Sequence, residues 1–372
     1  MQPFQPPFDT APLEGIGGVI SSRSEDFVVD EVQLYPWSGE GDHLMVRFRK
    51  TGMNTQFAVK ALARAADVDA RDIGVAGQKD RWALTTQWVS IPRRSRPQAE
   101  WQLPDGMEVI ETAYHNNKLR TGHLSANRFR IVLVGVEDTA DNREREALLT
   151  ERLRSQGVAN YFGPQRFGRG GGNLEQAIAW VLADRRSRGR VDRFVARMLP
   201  SVVQSEHFNR FLALRLAAGR ERLISGEVVR LEGTNRLFAV EDPAAEAPRL
   251  GSHDIWLTGP MWGAKMRRAA GEAEAMELAA AAEMGLDEQG LAKLSEEVDG
   301  TRRDLVTPLS DLRAEWQGVQ ESGRGEPIVV LHFALPSGSY ATQVAREYCR
   351  RPWDSLRPVE RSEEPDDAGD LA

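Results

Sequence analysis

Only one cysteine, Cys349, occurs in 372 residues. The chain therefore has no internal disulfide framework to rely on, and this usage fits a reducing compartment, the cytoplasm. No run of about 18 apolar residues exists, so no membrane-spanning helix is expected. No Lys or Arg precedes Arg23, and no apolar run before it is long enough for a secretory leader. Metal-ligand spacings are missing too. Neither HExxH nor CxxC occurs, and the six histidines are scattered, so no metal is expected. The GxGxxG, Walker and GxSxG patterns are absent as well, which removes dinucleotide, P-loop and serine-hydrolase readings. Positive charge is short overall, at a net −7. That argues mildly against nucleic acid, but binding depends on where the cations cluster.

Here they do cluster. Residues 114–130 carry Lys118, Arg120, Arg128 and Arg130 with no acid, and residues 158–173 carry Arg166 and Arg169 beside Tyr161, Phe162 and Phe167. Residues 185–197 hold six Arg against one Asp. Acids collect elsewhere, in 137–151, 272–298 and the tail after Arg361. Cations interleaved with rings suit an RNA surface, where Lys and Arg meet phosphates and rings stack on bases. Solvated helix faces are the plainer alternative.

The length suits two domains, or one domain carrying a large insertion. Residues 1–18 are rich in Pro and Gly and read as an irregular arm. Alternation predicts strands over 44–50 (Leu44, Val46 and Phe48 on one face), 84–92, 128–136 and 328–335. Helices are expected over 55–67, capped by Asn54 or Thr55 with Phe57, Leu62 and Ala66 inward, and over 143–156, stopped by Gly157. Others fit 174–183, 205–219, 271–285 and 341–350. Separated strands and helices indicate an α+β fold. The late strand at 328–335 hints that the chain returns to its first sheet, with the middle as an insertion. The acidic sequence after Trp353 is expected to be disordered.

The most informative stretch is GVAGQKDRWALTTQ at residues 74–87. It sets Asp80 between Lys79 and Arg81, and flanking cations favour the ionised carboxylate that a nucleophile or base needs. Gly and Ala before it let a backbone or a flat ligand approach. A salt-bridged surface Asp in a turn is the structural alternative. At the start of a strand, Asn127 and Phe129 share one face, and Arg128 and Arg130 the other. Phe129 is then either a core ring or a platform for an extruded base, with Asn127 reading the polar edge of that base. Residues 160–168 (NYFGPQRFG) and the RGGGN after them are either a flexible loop or a phosphate cradle.

These blocks, in this order, resemble the TruD family of tRNA pseudouridine synthases from nearly end to end. The resemblance runs through Glu25-Asp26-Phe27, residues 39–43, residues 50–55, the AGQKDR block, and His115 with Lys118-Leu119-Arg120. It continues through Asn127 and Phe129, residues 160–168, Arg302-Arg303 and residues 335–342. It implies a pseudouridine-synthase catalytic domain with a mixed or antiparallel sheet, divided as 1–157 and 311–352. An inserted α+β domain would occupy 158–310, and an acidic tail 353–372. It implies isomerisation of a tRNA uridine, at position 13 of the D-arm in bacterial members, by a monomer without cofactor or metal. It carries the catalytic role onto Asp80 and the stacking ring onto Phe129, with Asn127 beside it. Lys79, Arg23, Lys118, Arg120, Arg166 and Phe167 are the further substrate-binding candidates. One departure matters. The family usually has, shortly before the EDF block, a Lys thought to pair with the catalytic Asp; Ser21 stands there, leaving Arg23 or Lys79 to supply the cation. An RNA-binding module without chemistry and a glycosidic-bond hydrolase are the competing classes. The hydrolase would need a second acid or base, and the motif pairs none with Asp80.

Overall fold

The computed structural model describes residues 4–95, 97–168, 172–184, 188 and 192–356. The first half of the chain supplies most of one large sheet. Its strands are β1 (Gly17–Ile20), β2 (Phe27–Gln33), β3 (His43–Lys50), β4 (Gly74–Val75), β5 (Leu84–Pro92), β6 (Met107–His115) and β7 (Leu124–Val136). Helix α1 (Thr55–Ala66) leaves β3, and α2 (Ala140–Gln156) follows β7. The middle contributes β8 (Val158–Ala159), α3 (Gly172–Leu182), α4 (Arg193–Ala217), β9 (Val228–Leu231), β10 (Leu237–Ala239), α5 (Pro243–Gly251) and β11 (Ile255–Met261). It closes with α6 (Gly271–Ala282), α7 (Glu288–Glu297), β12 (Thr301–Asp304) and β13 (Val306–Thr307). The last elements are β14 (Ser310–Gln317), α8 (Val319–Ser322), β15 (Ile328–Leu335) and α9 (Ala341–Cys349).

The large sheet runs β14-β15-β7-β2-β5-β3-β6, with β1 added on β7 and β4 on β5. Every pairing is antiparallel except β2 with β5, so the sheet is mixed. The expected return of the late strand is seen directly: β15 pairs with β7 from Val329 opposite Leu133 to Leu335 opposite Asn127. Residues 228–304 build a separate four-stranded sheet, β10-β9-β11-β12. Outgoing β8 and returning β13 pair with each other, Val306 opposite Ala159, so the chain leaves and re-enters the large sheet at one place. One apolar core joins Ile131, Leu133, Val329 and Leu331 of the large sheet to Val344 and Tyr348 of α9 and to Phe208 and Leu212 of α4.

Local signals explain most element ends. The Asn54 side chain accepts the Phe57 N–H at 2.8 Å and starts α1. Thr139 caps α2 through the Asn142 N–H at 3.2 Å, and Gly157 at φ 69° ends it. Three expectations change. Phe57 does not face the core but is 50% exposed. It sits five residues from Leu62, which is about 140° round a helix, so the two cannot share a stripe. Helix α4 begins at Arg193, not at 205, and runs through Pro200. Proline removes one backbone bond, and buried Leu199, Val202 and Val203 hold the helix across it. Trp353–Ser355 forms a short 3-10 turn with Trp353 and Leu356 buried, so the acidic tail is shorter than expected. Its remainder, from 357, lies outside the described residues, as do Arg169, Arg185, Arg186 and Arg190 of the basic stretches. No helix among the described residues is long and apolar enough to cross a membrane.

Candidate active site

Register brings the site together. Residues paired across a sheet project to the same face. Lys50 pairs with Thr85, Thr85 with Val29, Val29 with Phe129, and Phe129 with Phe333. One step along, Glu31 pairs with Asn127 and Asn127 with Leu335. Two adjacent rows across the middle of the sheet thus carry Lys50, Glu31, Asn127 and Phe129 on one face. Phe129 packs in the core, its ring stacked on Phe333 at 5.3 Å and edge-on to Phe27 at 6.3 Å, and it also lines the cavity described below. The core reading of this ring is therefore seen, and the ring also borders the cavity.

Residues 77–81 cross this face as a loop between β4 and β5, fastened along its length. The Lys79 N–H donates to Thr55 Oγ1 at 2.8 Å, and Thr55 donates on to Gln87 Oε1 at 2.9 Å. The Lys79 ammonium donates to Glu31 Oε2 at 2.8 Å in a buried ion pair, while Glu31 Oε1 accepts the Trp88 N–H at 3.1 Å. Lys50 Nζ donates to the carbonyl oxygens of Asp80 at 2.9 Å and Met53 at 2.7 Å. Arg81 Nε donates to Gly52 O at 3.1 Å, and its guanidinium lies over the half-exposed Trp82 ring. Upstream, Gly74 is required by space: a Cβ there would meet Leu119 O at 2.2 Å and Ser90 Oγ at 2.5 Å. These bonds hold the backbone and leave the Asp80 side chain exposed.

Asp80, Asn127, Phe129 and Lys79 line one cavity of about 450 Å³. Its remaining walls are Gly77 and Gln78, Leu124, Phe27 and Val29 from β2, residues 337–342 before and within α9, Gly163 and Pro164, and Trp353 with Leu356. The size is within the range of small-molecule sites. Asp80 is the sole carboxylate among these lining residues. The buried Asn127 Oδ1 has no hydrogen-bond partner among the described residues, a costly state. A larger hollow, about 800 Å³, shares Phe129 with the first and is lined by Arg128, Arg130, Arg313 and His332 with Asp30 and Asp311. It contains neither Asp80 nor Asn127.

Most of the other candidates fall elsewhere. Arg23 is exposed and is not among the cavity residues, and the buried Ser21 hydroxyl donates to Asp26 at 2.5 Å. Lys79 reaches the cavity, but its charge is matched by Glu31. Lys118 donates to Arg71 O at 2.9 Å, and Arg120 is exposed; neither lines the cavity. Arg166 donates to Ser205 at 3.1 Å and lies 5.9 Å from the Phe162 ring centre, beside Gly163 and Pro164 of the cavity wall. Phe167 is fully buried in the core, so it packs the fold and offers no face for stacking. The basic, aromatic pattern that suggested Phe167 arises here because the rings of residues 161–167 turn inward. Sequence reading missed the roles of Lys50, Glu31 and Thr55 in fastening this loop. A signal for Lys50 exists: the inward series Leu44, Val46, Phe48 continues onto it.

The family model for tRNA pseudouridine synthase D (TruD) matches residues 9–197 and 185–348. A tRNA pseudouridine synthase D from Anaeromyxobacter sp. is 41% identical over 92% of this chain and 95% of its own. One from Thermus thermophilus is 38% identical over 100% of this chain and 99% of its own. A solved structure assigned as tRNA pseudouridine synthase D from Methanosarcina mazei superposes with a TM-score of 0.72. It is 24% identical and covers 93% of this chain and 96% of that one, a likeness of fold. With its model matched along most of the sequence and its members this similar, the chain belongs to the TruD family of tRNA pseudouridine synthases.

Proposed function

We propose that this protein isomerises a uridine of tRNA to pseudouridine, at position 13 of the D-arm, with Asp80 as the reacting carboxylate. The observation that carries this reading is the convergence of Asp80, Asn127 and Phe129 on one cavity. The reaction breaks the C1′–N1 bond, joins C1′ to C5 of the same base, releases the C5 proton and leaves N1 protonated. The base must leave the stack, turn and recombine before it escapes, which calls for extrusion into a walled pocket. The Asp80 carboxylate attacks C1′, stabilises positive charge there, or removes the C2′ proton; each needs only one carboxylate. Phe129 stacks on the detached uracil, which makes recombination effectively unimolecular. Asn127, at the cavity wall, hydrogen-bonds the polar edge of the base through its side-chain amide. A hydrolase with two carboxylates is disfavoured, because Asp80 stands alone in the lining and Glu31 is bound to Lys79.

In this reading the catalytic unit is the large sheet with its helices, and residues of about 158–310 form the inserted unit. The partner is tRNA, bound by a monomer in the cytoplasm. Carbodiimide-adduct primer extension on unmodified tRNA tests the proposal. One stop in the D-arm, made by the protein and not by Asp80→Asn, is the expected result. Binding of the whole tRNA set without any stop contradicts it.

A further inference from the structure

Lys50 lies at the end of β3 with its side chain wholly enclosed. A buried ammonium is costly unless it is paired. Its two hydrogen bonds go to backbone carbonyls, those of Asp80 and Met53, and none goes to a carboxylate among the described residues. The cations expected to serve Asp80 are occupied or distant. Lys79 is bound to Glu31, Arg81 to Gly52 O, and Arg23 stands outside the cavity. At the position of the family Lys, Ser21 is turned to Asp26.

We propose that Lys50 is the positioning residue of Asp80, fixing the backbone of that residue by a direct hydrogen bond and supplying the positive charge that accompanies its carboxylate. This rests on the assignment of Asp80 as the reacting group. The charged groups acting on Lys50 are Asp80 and Lys79, with Glu31 paired to Lys79. Burial pushes the Lys50 ammonium down to about 8; the Asp80 charge acts to raise it and the Lys79 charge to lower it. Attraction between Lys50 and Asp80 is mutual, so a neutral Lys50 removes both the charge and part of the anchor. A flexible lysine at this depth stores the cost of burial in order to hold one loop.

The test is the single-turnover rate on tRNA between pH 6.5 and 9.5, with tRNA affinity measured alongside. The wild-type rate is expected to fall above about pH 8. Lys50→Met is expected to be at least about 10-fold slower at pH 7.5, with affinity within about 3-fold and no fall near pH 8. Lys50→Arg keeps the charge and is expected to recover part of the rate and to carry the fall beyond pH 9. The imide of the substrate titrates alike in all three, so only a shift between variants counts. Lys50→Met with the wild-type rate and the wild-type alkaline fall overturns the proposal. So does a wild-type profile flat through pH 8, an outcome that needs no variant to fold. Turnover by Asp80→Asn would instead overturn the assignment of Asp80; a dead Asp80→Asn beside a fully active Lys50→Met overturns Lys50 alone.

Discussion

At one end of the large sheet, Ile131, Leu133, Val329 and Leu331 face the core with nothing polar among them. A few residues away, the same face presents Lys50, Thr85, Glu31 and Asn127. Both ends share strand β7 and one face of the sheet. They differ in what holds them. The apolar end is stabilised by area removed from water, which tolerates changes that conserve volume. The polar end depends on specific bonds: Lys79 to Glu31, Lys50 to Asp80 O, Thr55 to Lys79 N. Each buried polar group there is worth little net and expensive to leave alone. The comparison teaches that the fold spends stability at the polar end to keep one exposed carboxylate in place.

The largest expected effect is at the buried ion pair. Lys79→Met strands the Glu31 carboxylate and should cost about 3–5 kcal/mol, read by denaturant unfolding. Glu31→Leu with Lys79→Met should recover much of that loss, since paired apolar replacement is often neutral. If the single variant melts like wild type, the polar end is not held as described.

Leu331→Ala probes the other end. A cavity there should cost about 2–5 kcal/mol. Below its melting temperature, the turnover rate of the folded protein should stay close to wild type. A rate that falls with stability would erase the distinction between the two ends.

The sign of the Lys50 titration separates them further. Its proton is held less tightly in the folded protein, at about 8 against 10.5 in the unfolded chain. Between those values the unfolded state binds more protons, so the contribution of Lys50 to stability rises with pH from about 8 to 10.5. The full swing is about 3 kcal/mol. Wild type should therefore gain stability relative to Lys50→Met across that window while its activity falls. Chemical denaturation of both proteins at pH 7.5, 9 and 10 measures the difference; parallel curves contradict it.

Phe129→Ala is expected to have the smallest effect. Loss of stacking is worth about 1–3 kcal/mol, which is about 5- to 150-fold in rate. The ring is also packed on Phe27 and Phe333, so melting will shift as well. Phe129→Tyr, which keeps a ring, should restore most of the rate. Loss of stability alone, with the rate of folded protein unchanged, would return Phe129 to the core.

Much of the apolar end was legible because alternation there is unbroken. The strands at 44–50, 84–92 and 328–335 lie within a residue of their expected bounds. Strand β2 was not legible, and the reason lies in its one buried carboxylate. Its inward series is Phe27, Val29, Glu31, and a carboxylate at the third position breaks the pattern. Glu31 is buried because Lys79 meets it from a loop 48 residues later, a pairing no local window contains. The motifs singled out Asp80, Asn127 and Phe129, and the fold places all three at one cavity. Phe167 was misplaced because an aromatic beside arginines looks alike whether it faces RNA or the core. Lys50 was overlooked because a cation at a strand end reads as a solvated terminus.

The most direct test of the Asp80 site is tritium release from tRNA labelled at C5 of uridine, with wild type and Asp80→Asn under single-turnover conditions, and filter binding of the same tRNA. Replacement of the C5 hydrogen by C1′ frees the label only when the isomerisation proceeds. The account predicts release by wild type, none by Asp80→Asn, and affinities of the two within about 3-fold of each other. Release by Asp80→Asn at the wild-type rate, or loss of binding equal to the loss of release, would contradict it.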